Sequence, residues 1–279
     1  MGLRVCVTGA SGKAGRATTE ELASSGFDVL AVDITRAELG VPFMTADICD
    51  YGQTVEILSQ VEAVVHLANI PASDLYTPAV TFTRNTAMNS NVFLGAAQVG
   101  LQRVVWASSE TTLGLPFDVP PRYVPVDEDH YPYPTSTYSL SKVVGETMAS
   151  HVSEWSGIPF VGLRLSNIHT VTDYEGLPGY WTDPITRKWN LWGYIDARDV
   201  ASAFRQALQA PLSGAHSFII AAADTIMNRP SMELLDAAFP GVTRKKEISG
   251  FETLLSFEKA RDSLGFEPRH SWRDHIGVA

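Results

Sequence analysis

The sequence predicts an α/β protein built on a doubly wound parallel sheet, and two patterns support this prediction. In the first 165 residues, short apolar runs alternate with stretches of helical periodicity. Uniformly apolar runs are typical of strands that helices cover on both faces. Strand–helix–strand repetition then places the strands parallel to one another. After about residue 166 the pattern loosens, which predicts a small C-terminal lobe interleaved with the sheet.

The predicted strands are short runs rich in β-branched residues, which suit a pleated and buried surface. The regular alternation places them at residues 3–7, 28–32, 63–67, 103–107 and 160–165, with two further strands at 192–195 and 217–220.

The predicted helices carry apolar residues at helical spacing, and glycines that follow several of them are common helix terminators. They lie at residues 14–25, 54–58, 86–99, 138–155, 199–210, 232–239 and 258–264. Residues 169–192 have neither period and are rich in Tyr, Trp, Gly, Pro and Asp. They predict a long loop, and loops of this length in a compact domain are usually functional.

Composition and charge exclude several classes of protein. The 279 residues suit one or two domains, and 45% hydrophobic with 19% charged residues is an ordinary globular balance. A net charge of −10 disfavours a nucleic-acid partner, and no apolar stretch is long enough to predict a membrane span. Two cysteines exclude a disulfide framework, the seven histidines form no metal-ligand pattern, and no leader is evident. We therefore expect a cytoplasmic protein without a metal.

A glycine-rich turn follows the first strand. The segment TGASGKAG at residues 8–15 spaces Gly9, Gly12 and Gly15 three residues apart. Glycines let the backbone approach a pyrophosphate, and the following helix points its N-terminal N–H groups at that anion. In this strand–turn–helix setting the triplet predicts a Rossmann-type dinucleotide-binding site. Ser11 and Lys13, in the same turn, are further candidate cofactor contacts.

Acidic residues after the next two strands are candidate contacts to the nucleoside part of such a cofactor. Asp33 follows the second strand, where a carboxylate accepts hydrogen bonds from the adenosine ribose and repels a 2′-phosphate. The sequence therefore favours NAD over NADP, although the nearby Arg36 leaves NADP open. Asp47 and Ile48 follow a presumed third strand. Asp47 is either an adenine contact or a turn residue.

A tyrosine and a lysine share one face of the predicted helix at residues 138–155. Tyr138 and Lys142 are four residues apart, so their side chains are neighbours. An ammonium beside a phenol favours the phenolate and lowers the pKa of the tyrosine. Tyr138 could then exchange a proton with a substrate hydroxyl. Two serines follow the fourth strand. We expect Ser109 to hydrogen-bond the reacting oxygen of the substrate and Ser108 to cap a helix or turn.

In these residues the chain resembles the extended short-chain dehydrogenase/reductase family, the NAD-dependent epimerase/dehydratases. The similarity runs through almost the whole chain in the order typical of that family. The matching positions are residues 8–15, Asp33, Asp47, residues 66–68 (HLA), Asn85, residues 107–109 (ASS), Tyr138, Lys142, residues 163–167 (LRLSN), residues 194–201 (YIDARDVA) and residues 259–268 (KARDSLGFEP).

The resemblance implies a role for several of these residues. Tyr138 would be the acid/base, Lys142 would hold the nicotinamide ribose and tune Tyr138, and Ser109 would orient the substrate oxygen. The three glycines would bind the pyrophosphate. The segment that would line the cofactor comprises Leu67, Ala68 and Asn69. The helices that carry Asn85 and Tyr138 often form a homodimeric four-helix bundle in this family, which implies a homodimer.

The substrate end is less well specified. We expect contacts from Glu110, Thr111 and Asn167, and Arg187 is either an anion contact or part of a solvated basic pair. Chain length and residues 108–114 look similar to uronate dehydrogenases, which oxidise a free sugar acid. Those enzymes carry Asn and Ser where this chain has Glu110 and Pro71, and the Glu110 carboxylate repels a uronate.

These observations predict an NAD-dependent oxidoreductase that acts on a hydroxyl or carbonyl of a sugar-like small molecule. A nucleotide-sugar epimerase with tightly bound NAD is the first alternative, and a non-enzymatic dinucleotide sensor is the second. We expect residues 1–165 and 191–222 to form the dinucleotide-binding domain. Residues 166–190 and 223–279 are expected to form the substrate-binding lobe.

Overall fold

A computed structural model describes residues 2–276 and contains eleven strands in this range. In chain order they are β1 (Arg4–Thr8), β2 (Asp28–Asp33), β3 (Phe43–Thr45), β4 (Ala63–His66), β5 (Arg103–Ser109), β6 (Tyr123–Val124), β7 (Phe160–Leu165), β8 (Ile168–His169), β9 (Ile195–Asp196), β10 (Ala215–Ile220) and β11 (Thr243–Arg244).

The α-helices cover both faces of the sheet or complete the lobe beside it. They are α1 (Lys13–Ser24), α2 (Tyr51–Leu58), α3 (Pro78–Val99), α4 (Thr137–Ser156), α5 (Ala197–Gln209), α6 (Ser231–Ala238) and α7 (Glu258–Leu264). Short 3₁₀ helices lie at Glu110–Leu113, Val171–Tyr180, Lys188–Asn190 and Trp272–Asp274.

Seven strands form the central sheet in the order β10-β7-β5-β4-β1-β2-β3, and every neighbouring pair is parallel. This is the Rossmann-type doubly wound α/β fold that the sequence predicts. Because the strands are parallel, their carboxyl ends meet at one edge of the sheet. In such sheets ligands bind at this edge, where the strand order reverses.

Successive residues of β1 show why the apolar runs lack alternation. Val5 and Val7 belong to an apolar core shared with α1 and α5, whereas Cys6 belongs to a second core shared with α2, α3 and α4. Both faces of the strand are therefore buried. Cys6 is the buried small hydrophobe that its setting predicts, and burial raises the pKa of its thiol to about 12.

Two predictions of local structure are wrong. No strand covers residues 192–194, because Leu191 and Trp192 have φ of 54° and 56°, a left-handed conformation that interrupts a strand. The strand β9 begins at Ile195 and pairs with β8, outside the central sheet. Residues 169–192 are also not loop throughout, since they contain two 3₁₀ helices.

A third apolar core lies beyond the carboxyl edge of the sheet. It joins buried residues from the stretch after β5 to buried residues near the end of the described chain, among them Leu113, Trp192 and Trp272. The parallel pair β6 and β11 ties the two ends of this region together. Among residues 2–276, no helix combines the length and apolar character needed to cross a bilayer.

Candidate active site

A cleft of about 1050 Å³ runs along the carboxyl edge of the sheet. Most residues singled out by the sequence line it, namely Gly9, Gly12, Lys13, Gly15, Asp33, Asp47, Ile48, Leu67, Ala68, Asn69, Ser109, Glu110, Thr111, Tyr138, Lys142 and Asn167. Ser11, Arg36 and Arg187 are not among the lining residues. The cleft is large enough for an extended ligand with a second small molecule.

The glycine turn forms one end of this cleft and leaves no room for side chains at two positions. A Cβ on Gly9 would lie 2.6 Å from the backbone N of Ala68, and its φ is +69°. A Cβ on Gly15 would lie 2.1 Å from the carbonyl oxygen of Gly9. The next helix starts immediately after Gly12, whose position as N-cap supplies no side-chain cap. The first N–H groups of α1 are therefore available to an anion such as a pyrophosphate.

Asp33 lies at the end of β2 beside the turn. Its two carboxylate oxygens accept hydrogen bonds from the backbone N–H of Ser11 at 3.0 Å and of Thr35 at 3.1 Å. Each oxygen retains a second lone-pair direction, which a ribose hydroxyl can use. The Ser11 hydroxyl donates to the carbonyl of Thr35, so Ser11 braces the turn and does not line the cleft.

Arg36 does not line the cleft. Its guanidinium lies 3.7 Å from the Glu38 carboxylate and 5.5 Å from the centre of the Phe43 ring. The proposal that it contacts a cofactor phosphate therefore has no support in this geometry. Arg84 of α3, which the sequence analysis does not single out, lines the cleft instead and lies 3.5 Å from Asp47.

Ser109 and Tyr138 meet at the other end of the cleft. The Ser109 side chain accepts the N–H of Thr111 at 3.2 Å and so caps the 3₁₀ helix that follows β5. The Ser109 hydroxyl lowers the pKa of Tyr138, because hydrogen bonding from it favours the phenolate. Helix α4 holds Tyr138 in its first turn, which a reciprocal capping box between Ser136 and Ser139 fixes.

The structure does not show the expected lowering of the Tyr138 pKa by Lys142. Burial and the charge of Glu110 raise the pKa of Tyr138 to about 12, although Ser109 opposes this shift. Burial also lowers the pKa of Lys142 to about 7. The Lys142 amine donates to the carbonyl of Ala107 at 2.7 Å and lies 5.5 Å from the centre of the Tyr138 ring. Desolvation outweighs the attraction between the two groups.

Ser108 is also placed differently from the prediction. Its hydroxyl donates to the carboxylate of Glu146 at 2.6 Å, and it lies within β5. The residue that caps the following helical turn is Ser109. The Ser108 hydroxyl is therefore directed to α4, although Ser108 and Ser109 both line the cleft.

Glu110 is a buried carboxyl group in the wall of the cleft. It accepts the Ser166 hydroxyl at 2.5 Å and the side-chain amide of Asn190 at 3.3 Å. Burial raises its pKa to about 7, while these hydrogen bonds and the charge of Arg187 oppose the shift. This acid can therefore change its charge near neutral pH.

We expect Glu110→Gln to alter stability in a pH-dependent way. The native state holds the proton of Glu110 more tightly than the unfolded state, so this carboxyl costs stability as the pH rises from about 4.5 to about 7. In urea denaturation, the free energy of unfolding of the variant should rise relative to that of the wild type across this pH range, by about 3 kcal/mol at most. A gain that is the same at pH 4.5 and pH 8 would contradict the assignment; Glu38→Gln, at an exposed carboxylate, is the control.

Arg187 is buried, so its interpretation as part of a solvated basic pair is wrong. Its guanidinium lies 5.1 Å and 5.0 Å from the ring centres of Tyr180 and Trp189, and it donates to the Asn167 side chain at 3.0 Å. Trp189 and Asn167 line the cleft, and Arg187 lies behind them. Its reach to substrate is therefore through Asn167.

Lys13 connects the glycine turn with the opposite wall. Its amine lies 2.7 Å from the Asp173 carboxylate and 3.3 Å from the carbonyl of Ile168, which lines the cleft. Neither Asp173 nor Ser166 is singled out by the sequence analysis. Ser166 directly follows β7, and the end of a parallel strand is the signal that could have identified it.

Comparisons with known proteins agree with this geometry. The sequence model of the NAD dependent epimerase/dehydratase family matches residues 5–222. A UDP-glucose 4-epimerase of Lacticaseibacillus casei is 28% identical over 320 residues, which cover 98% of this chain and 94% of the relative. An L-arabinose 1-dehydrogenase (NAD(P)(+)) of Haloferax volcanii is 29% identical over 178 residues, 61% of this chain and 69% of the relative.

A solved structure shows the same fold over the whole chain. It is a short-chain dehydrogenase/reductase superfamily protein of Agrobacterium tumefaciens with bound NAD. The two chains superpose with a TM-score of 0.75 at 22% identity, covering 98% of this chain and 94% of the other.

Proposed function

Because the chain belongs to the NAD dependent epimerase/dehydratase family, we propose that it binds NAD in the cleft and oxidises a sugar at a carbon that bears a hydroxyl, with hydride from that carbon passing to the cofactor. One observation carries this proposal. A single cleft joins the glycine turn, which has no room for side chains at Gly9 and Gly15, to Ser109, Tyr138 and Lys142. The cradle fits a dinucleotide, and the far end holds the groups that move a proton.

The cofactor would lie with its pyrophosphate against Gly9, Gly12 and the first turn of α1. Its adenosine would lie between Asp33 and Asp47. Bound NAD supplies an acceptor for hydride. The family resemblance places Lys142 on the nicotinamide ribose, and Lys142 reaches that end of the cleft from α4.

The proton of the substrate hydroxyl passes to the oxygen of Tyr138. Ser109 donates a hydrogen bond to the reacting oxygen and so holds it in line with the phenol. Phenolate formation is opposed by burial and by Glu110, so it needs the positive charge of Lys142 to be present. In the reverse direction Tyr138 returns the proton to a carbonyl oxygen, as a general acid does.

The overall reaction that the relatives support best is 4-epimerisation of a nucleotide sugar. The UDP-glucose 4-epimerase of L. casei aligns over nearly the whole chain, whereas the arabinose dehydrogenase aligns over 61% of it. In an epimerase the same site oxidises and re-reduces the sugar, and the cofactor stays bound. The proposal therefore favours the alternative of the sequence analysis over its leading expectation.

A second candidate, oxidation of a free sugar, is favoured by the charge of the cleft. Near Ser109 and Tyr138 the only cation among the described lining residues is Lys142, whereas a sugar nucleotide brings a diphosphate. The alignment with the L. casei epimerase runs over 320 residues, more than the 279 of this chain, so the relative carries additional segments. A smaller substrate suits both observations.

The two candidates give different products from the same step. Purified protein is incubated with NAD and either UDP-sugars or free aldoses, while NADH is followed at 340 nm and the sugars are resolved by chromatography. Interconverted UDP-sugars without net NADH support the epimerase. Net NADH with an aldose supports the dehydrogenase. Tight NAD binding without change in any sugar would contradict both and support the sensor.

We also predict that Asp33 sets the preference for NAD. Asp33→Ser removes the carboxylate beside the adenosine ribose, so the ratio of NADP to NAD affinity should rise about tenfold. Isothermal titration with both cofactors measures this ratio. Asp47→Ser, at the adenine end, is the matched control and should weaken both cofactors equally. An unchanged ratio in Asp33→Ser would overturn this assignment.

A further inference from the structure

Behind Lys142 lies a buried ion pair that the proposed steps do not use. Glu146, one helical turn further along α4, accepts hydrogen bonds from Arg164 of β7 at 2.9 and 2.8 Å. The same carboxylate accepts the Ser108 hydroxyl at 2.6 Å. Ser108 and Arg164 are register partners on the adjacent strands β5 and β7. Two strands of the sheet therefore fix the position of this carboxylate.

Two observations place Glu146 next to Lys142. Residues four apart on a helix share a face, so Glu146 and Lys142 are neighbours along α4. Their hydrogen-bond partners on β5 are also consecutive, because Lys142 donates to Ala107 and Glu146 accepts from Ser108. Lys142 is 1% exposed. Charges act strongly on each other in such a poorly hydrated place.

In the described part of the chain, the other titratable groups around this lysine supply no comparable negative charge. His66 of β4 is buried, and burial together with the charge of Lys142 lowers the pKa of the imidazole to about 3. It is therefore neutral. Tyr138 is the remaining titratable neighbour on α4, and burial holds it in the neutral form. Glu128 is also present, but its charge acts on Arg164. Burial lowers the pKa of Lys142, and Glu146 raises it.

We propose that Glu146 is a positioning residue that keeps the buried Lys142 amine in its charged ammonium form. Arg164 and Ser108 fix this carboxylate through their hydrogen bonds. The inference rests on the proposed function only for its consequence, since a neutral amine could not stabilise the Tyr138 phenolate. Its physical content, the charge state of one lysine, can be measured without substrate or cofactor.

The test is an NMR titration of protein labelled with [6-¹³C]lysine. The chain has only six lysines, and Lys142 is the buried one. Lys142→Met identifies its signal. In the wild type the signal should titrate near pH 7. In Glu146→Gln the midpoint should move to lower pH, and Glu146→Asp should restore part of the shift. An unmoved midpoint in Glu146→Gln would overturn the proposal.

Arg164→Gln is the matched control, because it breaks the same ion pair but removes the opposite charge. The midpoint of Lys142 should then rise. If both variants lower the midpoint alike, the ion pair acts only on the local structure and the proposal is wrong. Should Glu146→Gln not fold, the combination of Glu146→Gln with Arg164→Gln leaves no unpaired charge of this pair. Its midpoint should lie below that of Arg164→Gln alone, because the two variants differ only in the Glu146 charge, and equal midpoints would overturn the proposal. A lowered midpoint in Glu146→Gln with unchanged turnover would count against the proposed function's use of the Lys142 charge, and not against the effect of Glu146 on that charge.

Discussion

Replacing Tyr138 by phenylalanine is expected to lower NAD-dependent sugar turnover by about 10²- to 10⁴-fold and to leave NAD binding intact. The phenol is the group that exchanges the proton, and general acid–base catalysis contributes a factor of this size. The phenyl ring keeps the packing of the first turn of α4, so the fold should not change. Turnover is measured as sugar product formed, and NAD affinity by isothermal titration.

Tyr51→Phe is the matched control for this substitution. The Tyr51 hydroxyl bonds Gln98 at the end of α3, and Tyr51 does not line the cleft. Its loss should leave turnover unchanged. If Tyr138→Phe retains turnover within about threefold of the wild type, Tyr138 is not the proton-exchanging group.

Replacing Gly15 by alanine is expected to cause the largest loss of stability among single substitutions in the turn. The added Cβ would lie 2.1 Å from the carbonyl oxygen of Gly9 and 2.7 Å from the Cα of Ala10. Both are backbone atoms that cannot rotate away, so the turn or α1 must move. Overpacking of this kind costs about 3 kcal/mol, which lowers Tm by roughly 6–12 °C. Differential scanning calorimetry measures the shift.

Gly12→Ala separates stability from cofactor binding. At Gly12 the nearest heavy atom to an added Cβ is 3.4 Å away, which is an ordinary contact. Its Tm should stay close to that of the wild type. NAD affinity should still fall, because the methyl group enters the cleft where the pyrophosphate would lie. Equal effects of the two substitutions on Tm would contradict this account of the turn.

The glycine turn and the central sheet could be predicted from the sequence because both follow from local patterns. Uniform apolar runs require two covered faces, and the structure provides them on either side of β1. At Gly9 and Gly15 the glycine spacing reflects close backbone approaches that leave no room for a Cβ. Strand ends also identify Asp33 and Ser109, because parallel strands bring their carboxyl ends together.

Long-range packing explains what could not be predicted. The pKa of Tyr138 depends on its burial and on the charge of Glu110. The four-residue spacing of Tyr138 and Lys142 gives no information about either. The position of Arg187 depends on the Tyr180 and Trp189 rings, which enclose it within a segment that has no periodic pattern. The left-handed backbone at Leu191 could not be predicted, because the residue there is not a glycine.

The central claim is that Tyr138 and Lys142 act together on a cofactor bound along the cleft. A crystal structure of the NAD complex tests this most directly. The account predicts that the Lys142 amine lies within hydrogen-bond distance of the nicotinamide ribose, with the Tyr138 oxygen on the open side of the nicotinamide ring. A nicotinamide directed out of the cleft, or a ribose without contact to Lys142, would contradict it.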